Sequence, residues 1–228
     1  MLIAVEGLDG AGKSTLVEAL AESLGRRAEV VVLTRYTQSA LTSLWKHLIA
    51  SDTIDQAGAS LLAAADYHLT VERLLKPALA RDAVVIADRY VYSHRVYFAT
   101  RGVPGGLLDA YFGDHVVPDL VLYLFVKPGQ ALNRMRASGK PDIVEAGLDY
   151  RLGLSIGKAH AILNERPLPA EEVEQHFLAH AEDTLSIFER VLPEETVRID
   201  AAADKGTILG QALCVIDGIR AGNADTDE

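Results

Sequence analysis

The chain has 228 residues, 49% of them apolar, and carries 22 Lys and Arg against 32 Asp and Glu, a formal charge of -10. That length suits one α/β domain or two small ones with a sizeable core, and the acidic balance excludes broad nonspecific binding to nucleic acid or anionic lipid, whose phosphates would repel most faces. The lone Cys214 excludes an internal disulfide, no Cys and His cluster has metal-site spacing, and no apolar run approaches the ~20 residues of a membrane span, so a cytoplasmic protein is expected.

In chain order, a strand over Leu2–Glu6 leads into the glycine-rich turn "GLDGAGKST", from which a helix is expected over Lys13–Leu24. A second strand, Val30–Thr34, ends at Arg35. Helices follow over Ala40–Ile49 and, long and rich in Leu and Ala, over Ala57–Leu79. The third strand, Val84–Asp88, is followed at once by Arg89 and then by a helix over Ser93–Thr100. Leu120–Val126 reads as the fourth strand, followed by helices over Gly129–Met135, Leu148–Leu163 and Ala170–Val191. Val197–Asp200 is a weaker fifth strand before a last helix over Thr207–Gly218. Short apolar runs alternating with longer amphipathic ones read as a parallel sheet covered by helices on both faces. The stretch "RASGKPDIVEAG", 136–147, mixes Gly, Pro and charges and predicts a mobile loop, while "ERPLPAEE", 165–172, predicts a Pro-punctuated turn. With no internal repeat and no long linker, one domain over 1–222 is expected, with a short acidic tail over 223–228.

Gly7 to Ser14 satisfies G-x-x-x-x-G-K-[ST], with a buried strand before it and a helix-forming run after it. Gly7, Gly10 and Gly12 permit unusual backbone angles, so the amides running through Ala11, Lys13, Ser14 and Thr15 can turn toward phosphate oxygens at a helix N-terminus. Lys13 would reach the β- and γ-phosphates, and the Ser14 hydroxyl would help hold Mg²⁺. The competing reading is a chance glycine turn with an exposed lysine, which the flanking strand and helix argue against. Motors, switches, transporters and kinases share such a loop. A guanine-specific switch should also carry N-K-x-D or T-K-x-D after a later strand, and neither occurs.

At the third strand end, Val84, Val85 and Ile86 bring Asp88 to the carboxyl edge of the sheet, where open α/β folds bind ligands. There it can orient Mg²⁺ or its waters, and Arg89 can clamp a phosphate with its planar fork. The bland alternative is an Asp that caps the next helix, with Arg89 as its surface partner. Arg35 follows the second strand in the same way. Two arginines at neighbouring strand ends would suit a second phosphorylated molecule, an acceptor.

The ordered set "EGLDGAGKST", "LTR", "LLAAADYHLTVERLLKPAL", "DRYVYSHRVY", "PDLVLYLFVKPGQALNRM" and "VRIDA" resembles the thymidylate kinase family of P-loop nucleoside monophosphate kinases over nearly the whole chain. The resemblance implies a three-layer α/β P-loop NTPase fold with a five-stranded parallel sheet and a mobile lid at about 136–147. It also implies an ATP donor with Mg²⁺, a nucleoside monophosphate acceptor and commonly a homodimer. Carried over by position, Asp9 matches the loop carboxylate near the acceptor sugar. Arg35 and Arg89 match the arginines holding the acceptor phosphate, and Ser93 of "DRYVYS" is assigned to the same site. Asp88 matches the carboxylate beside the metal, Tyr97 the sugar-packing tyrosine, and Ala201 of "IDA" the segment bordering the adenine.

The departures concern base recognition and the lid. The Phe that stacks on thymine and the Arg that bonds its edge are replaced by Ala63 and Tyr67, the E-P pair after Arg35 by Tyr36 and Thr37, and the Gln or Thr after Tyr97 by Phe98. Relatives without an arginine in the phosphate loop usually carry several in the lid. Here Gly10 stands in the loop, the D-R pair is Asp142 with Ile143, and the surrounding cations are Arg134, Arg136, Lys140 and Arg151. Arg136 or Lys140 could supply the cation near the moving phosphoryl group, and both could equally be solvated loop charges. Three readings follow: a thymidylate kinase in which Tyr67 stacks in place of the missing Phe, a kinase of the same fold with another or modified acceptor, and a silent ATP-binding regulator. The intact Lys13, Ser14, Asp88 and Arg89 argue against the last.

Overall fold

The structure, a computed structural model, describes residues 1–34, 40–137 and 141–224. Arg35, Tyr36, Thr37 and Lys140 lie outside the described residues, as does the end of the expected tail.

Five strands, β1 (Leu2–Gly7), β2 (Val30–Thr34), β3 (Val84–Asp88), β4 (Leu120–Phe125) and β5 (Val197–Asp200), form one sheet in the order β2-β3-β1-β4-β5. Every pairing is parallel, with Val5 beside Asp88 on one side and Gly7 beside Leu124 on the other. The central strand explains why its sequence is an unbroken apolar run. Ile3 and Val5 join one core with helices α1 (Lys13–Gly25), α7 (Pro128–Arg136), α10 (Ala170–Val191) and α11 (Lys205–Ala224). Leu2 and Ala4 point the other way, into a second core with α3 (Gln56–Thr70), α5 (Val91–Thr100) and α6 (Gly105–Phe112). A strand buried on both faces has no polar face to alternate with. The neighbouring strands β1 and β3 send their following helices, α1 and α5, to opposite faces, and the crevice between those carboxyl ends is where this architecture binds ligands.

The strand expectations hold to within a residue, and the helices differ in three places. The run expected over Ala57–Leu79 is continuous, but its middle, Val71–Leu75, is a π-helical turn between α3 and α4 (Lys76–Leu79). Asp55 starts the run by accepting from the Gly58 amide at 2.7 Å, and the Lys76 amide bonds the Val71 carbonyl, five residues back. Pro77 supplies a cause, since it cannot donate to residue 73 and its ring would crowd that carbonyl. The helix expected over Leu148–Leu163 is two: α8 (Leu148–Arg151) stops where Gly153 takes φ 64°, and α9 (Ile156–Glu165) restarts at Ser155, whose side chain accepts from the Lys158 amide. Helix α6 was not expected, because it opens on two glycines, yet it buries Leu108 and Phe112. Helix α2 (Ala40–Ala50) and the start of α11 lie near their expected positions. No helix among the described residues is long and apolar enough to cross a membrane.

Candidate active site

The turn after β1 is a cradle of main chain. Gly10 and Gly12 take φ 80° and 95°, values at which a side chain is strained and glycine is not. Gly10 has a second constraint, since a Cβ there would lie 2.7 Å from the Ala131 carbonyl oxygen and 2.9 Å from Met135 Cγ on α7. The absence of a loop arginine thus has a local reason: α7 packs where its side chain would begin. Gly12 precedes α1, whose first-turn amides have no intrahelical partners and make a ready site for phosphate. Residues Asp9 to Thr15 and Ala201 line one cavity of about 1370 Å³, which also takes in Asp88, Arg89 and Tyr97.

Lys13 is buried, and its ammonium donates to the Leu8 carbonyl oxygen at 2.5 Å. Burial, reinforced by the Arg89 charge, pushes its pKa down to about 7 against the opposing pull of Asp9, Asp88 and Glu6. An incoming phosphate would favour the charged form. Beside it, the Ser14 hydroxyl donates to Asp88 Oδ2 at 2.7 Å, across from the end of β3. A hydroxyl and a carboxylate in contact are hard oxygen donors, and Mg²⁺ is usually held by one or two such protein groups together with substrate phosphates. These residues therefore fit the ion that the loop implies.

Arg89 follows Asp88 directly and is turned into the site by a left-handed backbone, φ 72°. Its guanidinium pairs with the Asp9 carboxylate, donates to the Gly7 carbonyl, Ser93 Oγ and the Tyr97 hydroxyl, each at 3.3 Å, and lies 5.0 Å from the centre of the Tyr97 ring. The Tyr97 hydroxyl in turn donates to Asp9 Oδ2 at 3.0 Å. Three separated stretches, 7–15, 88–89 and 93–97, thus meet around the Arg89 guanidinium.

Two residues assigned to ligand contact do other work. Ser93 is buried beneath the site with its hydroxyl donated to Glu6, and Gly7 offers its carbonyl to Arg89; neither lines the cavity. Arg136, expected either as the cation near the moving phosphoryl group or as a solvated loop charge, sits outside the cavity. It lies at the end of α7, half exposed, with Nε and Nη2 on the two Glu174 carboxylate oxygens, each at 2.6 Å, and Nη1 on Asn133 Oδ1 at 2.9 Å. The reason is geometric: α7 turns that position toward α10, away from the phosphate loop. Arg134, two residues earlier, lines the cavity and bridges its two walls, donating to the Ala11 carbonyl at 3.2 Å and to the Ala201 carbonyl. Arg151 pairs with Asp183 at 2.6 Å.

A smaller pocket opens beyond Arg89, walled by Trp45, Ala63, Asp66, Tyr67 and Tyr90. Tyr67 lines it, but its hydroxyl lies 2.8 Å from that of Tyr90, which donates to the Val116 carbonyl at 2.7 Å. Its ring meets Tyr90 and Phe112 edge-on. The position where the family's pattern has a charged base contact is therefore filled by an aromatic cluster.

Sequence reasoning missed Arg101 altogether. It lines the main cavity, grips Asp149 through Nε at 2.8 Å and Nη2 at 3.2 Å, and also donates to the Tyr97 and Val144 carbonyls. Both side chains of the pair are buried. The bond ties the helix that carries Tyr97 to the far end of the expected lid, and no local spacing signals a partner in α8.

Comparison with known proteins agrees with this geometry. A family model described as Thymidylate kinase matches residues 5–151. A thymidylate kinase of Xanthomonas campestris pv. campestris (strain B100) is 33% identical over 242 aligned residues, covering 100% of this chain and 89% of the relative. A probable thymidylate kinase of Thermococcus kodakarensis is 36% identical over 147 residues, 60% of this chain and 72% of its own, and a probable thymidylate kinase 2 of Saccharolobus solfataricus is 29% identical over 86% of this chain and 84% of its own. The cleft, its phosphate loop and the paired strand-end residues define an α/β nucleotide-binding phosphotransferase. The chain belongs to the thymidylate kinase family.

Proposed function

We propose that this site transfers the γ-phosphoryl group of ATP to the phosphate of dTMP, giving dTDP and ADP. The observation that carries the reading is the convergence of a buried phosphate-loop lysine with the Arg89, Asp9 and Tyr97 cluster in one cavity. An acceptor phosphate is already ionised near neutral pH, so its oxygen needs no strong base to attack the γ-phosphorus as the bond to the β–γ bridging oxygen breaks. The work left to the protein is to hold two anions close and exclude water. Lys13 and the first-turn amides of α1 meet the donor phosphates. Arg89 meets the acceptor phosphate, Asp9 and Tyr97 hold that guanidinium in place and face the sugar, and Ala201 with Arg134 walls the adenine end. Ser14 and Asp88 would hold Mg²⁺, which would supply neutralising charge to the donor phosphates. Lid residues near 136–147 close the cavity, and Arg35 assists at the acceptor phosphate. The chain works as a homodimer in this reading; Leu61 and Leu74, exposed along 56–79, are apolar surface of the kind such pairing would cover, and light scattering measures it.

The test is ADP formation from ATP and Mg²⁺ over a panel of nucleoside and deoxynucleoside monophosphates. Preference for dTMP is the expected result. A different best acceptor would reject the thymine assignment, and ATP binding with no turnover would reject catalysis.

A further inference from the structure

Glu6 is the penultimate residue of β1 and is fully buried, yet it does not line the cavity. Its Oε1 accepts from the Tyr90 amide at 2.8 Å and the Ser93 amide at 3.2 Å, and its Oε2 accepts from the Ser93 hydroxyl. These are the groups that open helix α5, where the exposed amides and the helix dipole favour an anion. The residue just before them is Arg89, held at φ 72°, in a region non-glycine residues avoid unless their surroundings impose it. Glycine would relieve that strain but carries no guanidinium. The anchors on either side are the Arg89 amide on the Val5 carbonyl at 3.0 Å and the Tyr90 amide on Glu6. Ser93 Oγ, fixed by Glu6, then accepts from Arg89 Nη1 at 3.3 Å. Burial raises the Glu6 pKa, while Ser93, the Tyr90 amide and the Arg89 charge work to keep it ionised.

We propose that Glu6 is a positioning residue for the acceptor-phosphate clamp: its buried carboxylate holds the start of α5 and, through Tyr90 and Ser93, keeps Arg89 turned toward Asp9 and Tyr97. The inference rests on the reading of Arg89 as the group that holds the acceptor phosphate. A residue that only supported the fold would lower activity regardless of Arg89, whereas a residue acting through Arg89 loses its effect once Arg89 is gone.

The experiment is a double-mutant cycle on the full chain with Glu6→Gln and Arg89→Ala, measuring kcat and KM for dTMP and for ATP. Glu6→Gln is expected to lower kcat/KM for dTMP by about 10²-fold, a loss typical of a displaced catalytic group, with the KM for ATP close to that of the parent. In the Arg89→Ala background the same change should alter kcat/KM by no more than about twofold. Equal losses in both backgrounds, or parent-like kinetics of Glu6→Gln, would overturn the proposal. If Glu6→Gln does not fold, Ser93→Ala takes its place in the cycle and should cost about fivefold to tenfold only when Arg89 is present; an equal cost in both backgrounds overturns the proposal. Failure of the parent to phosphorylate dTMP would sink the functional reading alone. Glu6 is then judged on a crystal structure of Glu6→Gln, where relaxation of Arg89 out of the left-handed region supports the role and an unmoved Arg89 rejects it.

Discussion

The phosphate loop meets its ligand mainly with main chain, whereas the acceptor clamp is a set of side chains that already satisfy one another. On the donor side, Gly10 and Gly12 adopt backbone angles that leave the amides of α1 facing the cavity, and Lys13 is the buried charged side chain the loop contributes. On the acceptor side, Asp9, Arg89, Tyr97 and Ser93 form a connected network. A main-chain site is tuned by what glycine permits and resists substitution for steric reasons. A preformed side-chain network avoids reorganisation when the phosphate binds, because the guanidinium is already in place. It also depends on every partner that holds it.

The largest effect that would test this contrast falls on the donor side. Lys13→Ala should lose about 10³- to 10⁵-fold in kcat, in the range seen when a phosphoryl-transfer cation is removed. Its thermal midpoint should match or exceed the parent's, because the variant no longer buries an ammonium whose pKa burial has pushed down to about 7. Kinetics and a thermal melt on the same preparation check both halves.

Arg101→Ala should do the opposite and damage the fold. It strands Asp149 as an uncompensated charge that is fully buried, and losses of about 3 to 5 kcal/mol are expected for that kind of change, read by urea unfolding. Arg101→Ala with parent-like stability would show that the tie between α5 and α8 is dispensable.

A third effect is set by pH. His180 is buried against Tyr150, and burial, with Arg101 and Arg151 adding, lowers its pKa from 6.5 to about 4. The folded state keeps it neutral while the unfolded chain takes up a proton, so stability is full above pH 6.5 and falls as the pH drops to 4. The loss attributable to this one group is about 3 kcal/mol. Unfolding free energies at pH 7 and pH 4 should therefore differ less in His180→Phe than in the parent, and an unchanged difference would remove His180 from the account.

The smallest effect sharpens the lid assignment. Arg136→Ala breaks a partly exposed pair with Glu174 and a bond to Asn133, so kcat should stay within about twofold of the parent and stability within about 1 kcal/mol. A large loss of kcat would return Arg136 to the reacting phosphates.

The same contrast explains what could be read from the sequence. A main-chain cradle needs glycines at fixed offsets beside a lysine, so Gly7, Gly10, Gly12, Lys13 and Ser14 stand together within eight residues as a visible motif. The strands were legible because a buried parallel sheet writes short apolar runs, and Asp88 and Arg89 were legible as the residues where one run stops. Arg101 with Asp149, and Arg136 with Glu174, are 48 and 38 residues apart in the chain and meet only because helices pack; no spacing rule reaches that far. Ser93 was read as a ligand contact because its motif sits beside the site, and only the burial of Glu6 shows which way its hydroxyl is spent. The glycine-led helix α6 was hidden because tertiary packing outweighed local propensity, whereas the break near Gly153 has a local signal, a glycine followed two residues on by a capping serine.

Arg89 is the residue on which the acceptor site most directly depends. Initial rates of dTDP formation by Arg89→Ala, at varied dTMP and at varied ATP, should show kcat/KM for dTMP reduced by about 10²- to 10³-fold, while the KM for ATP stays near the parent value. A purified, folded Arg89→Ala that phosphorylates dTMP as fast as the parent would contradict the acceptor site described above.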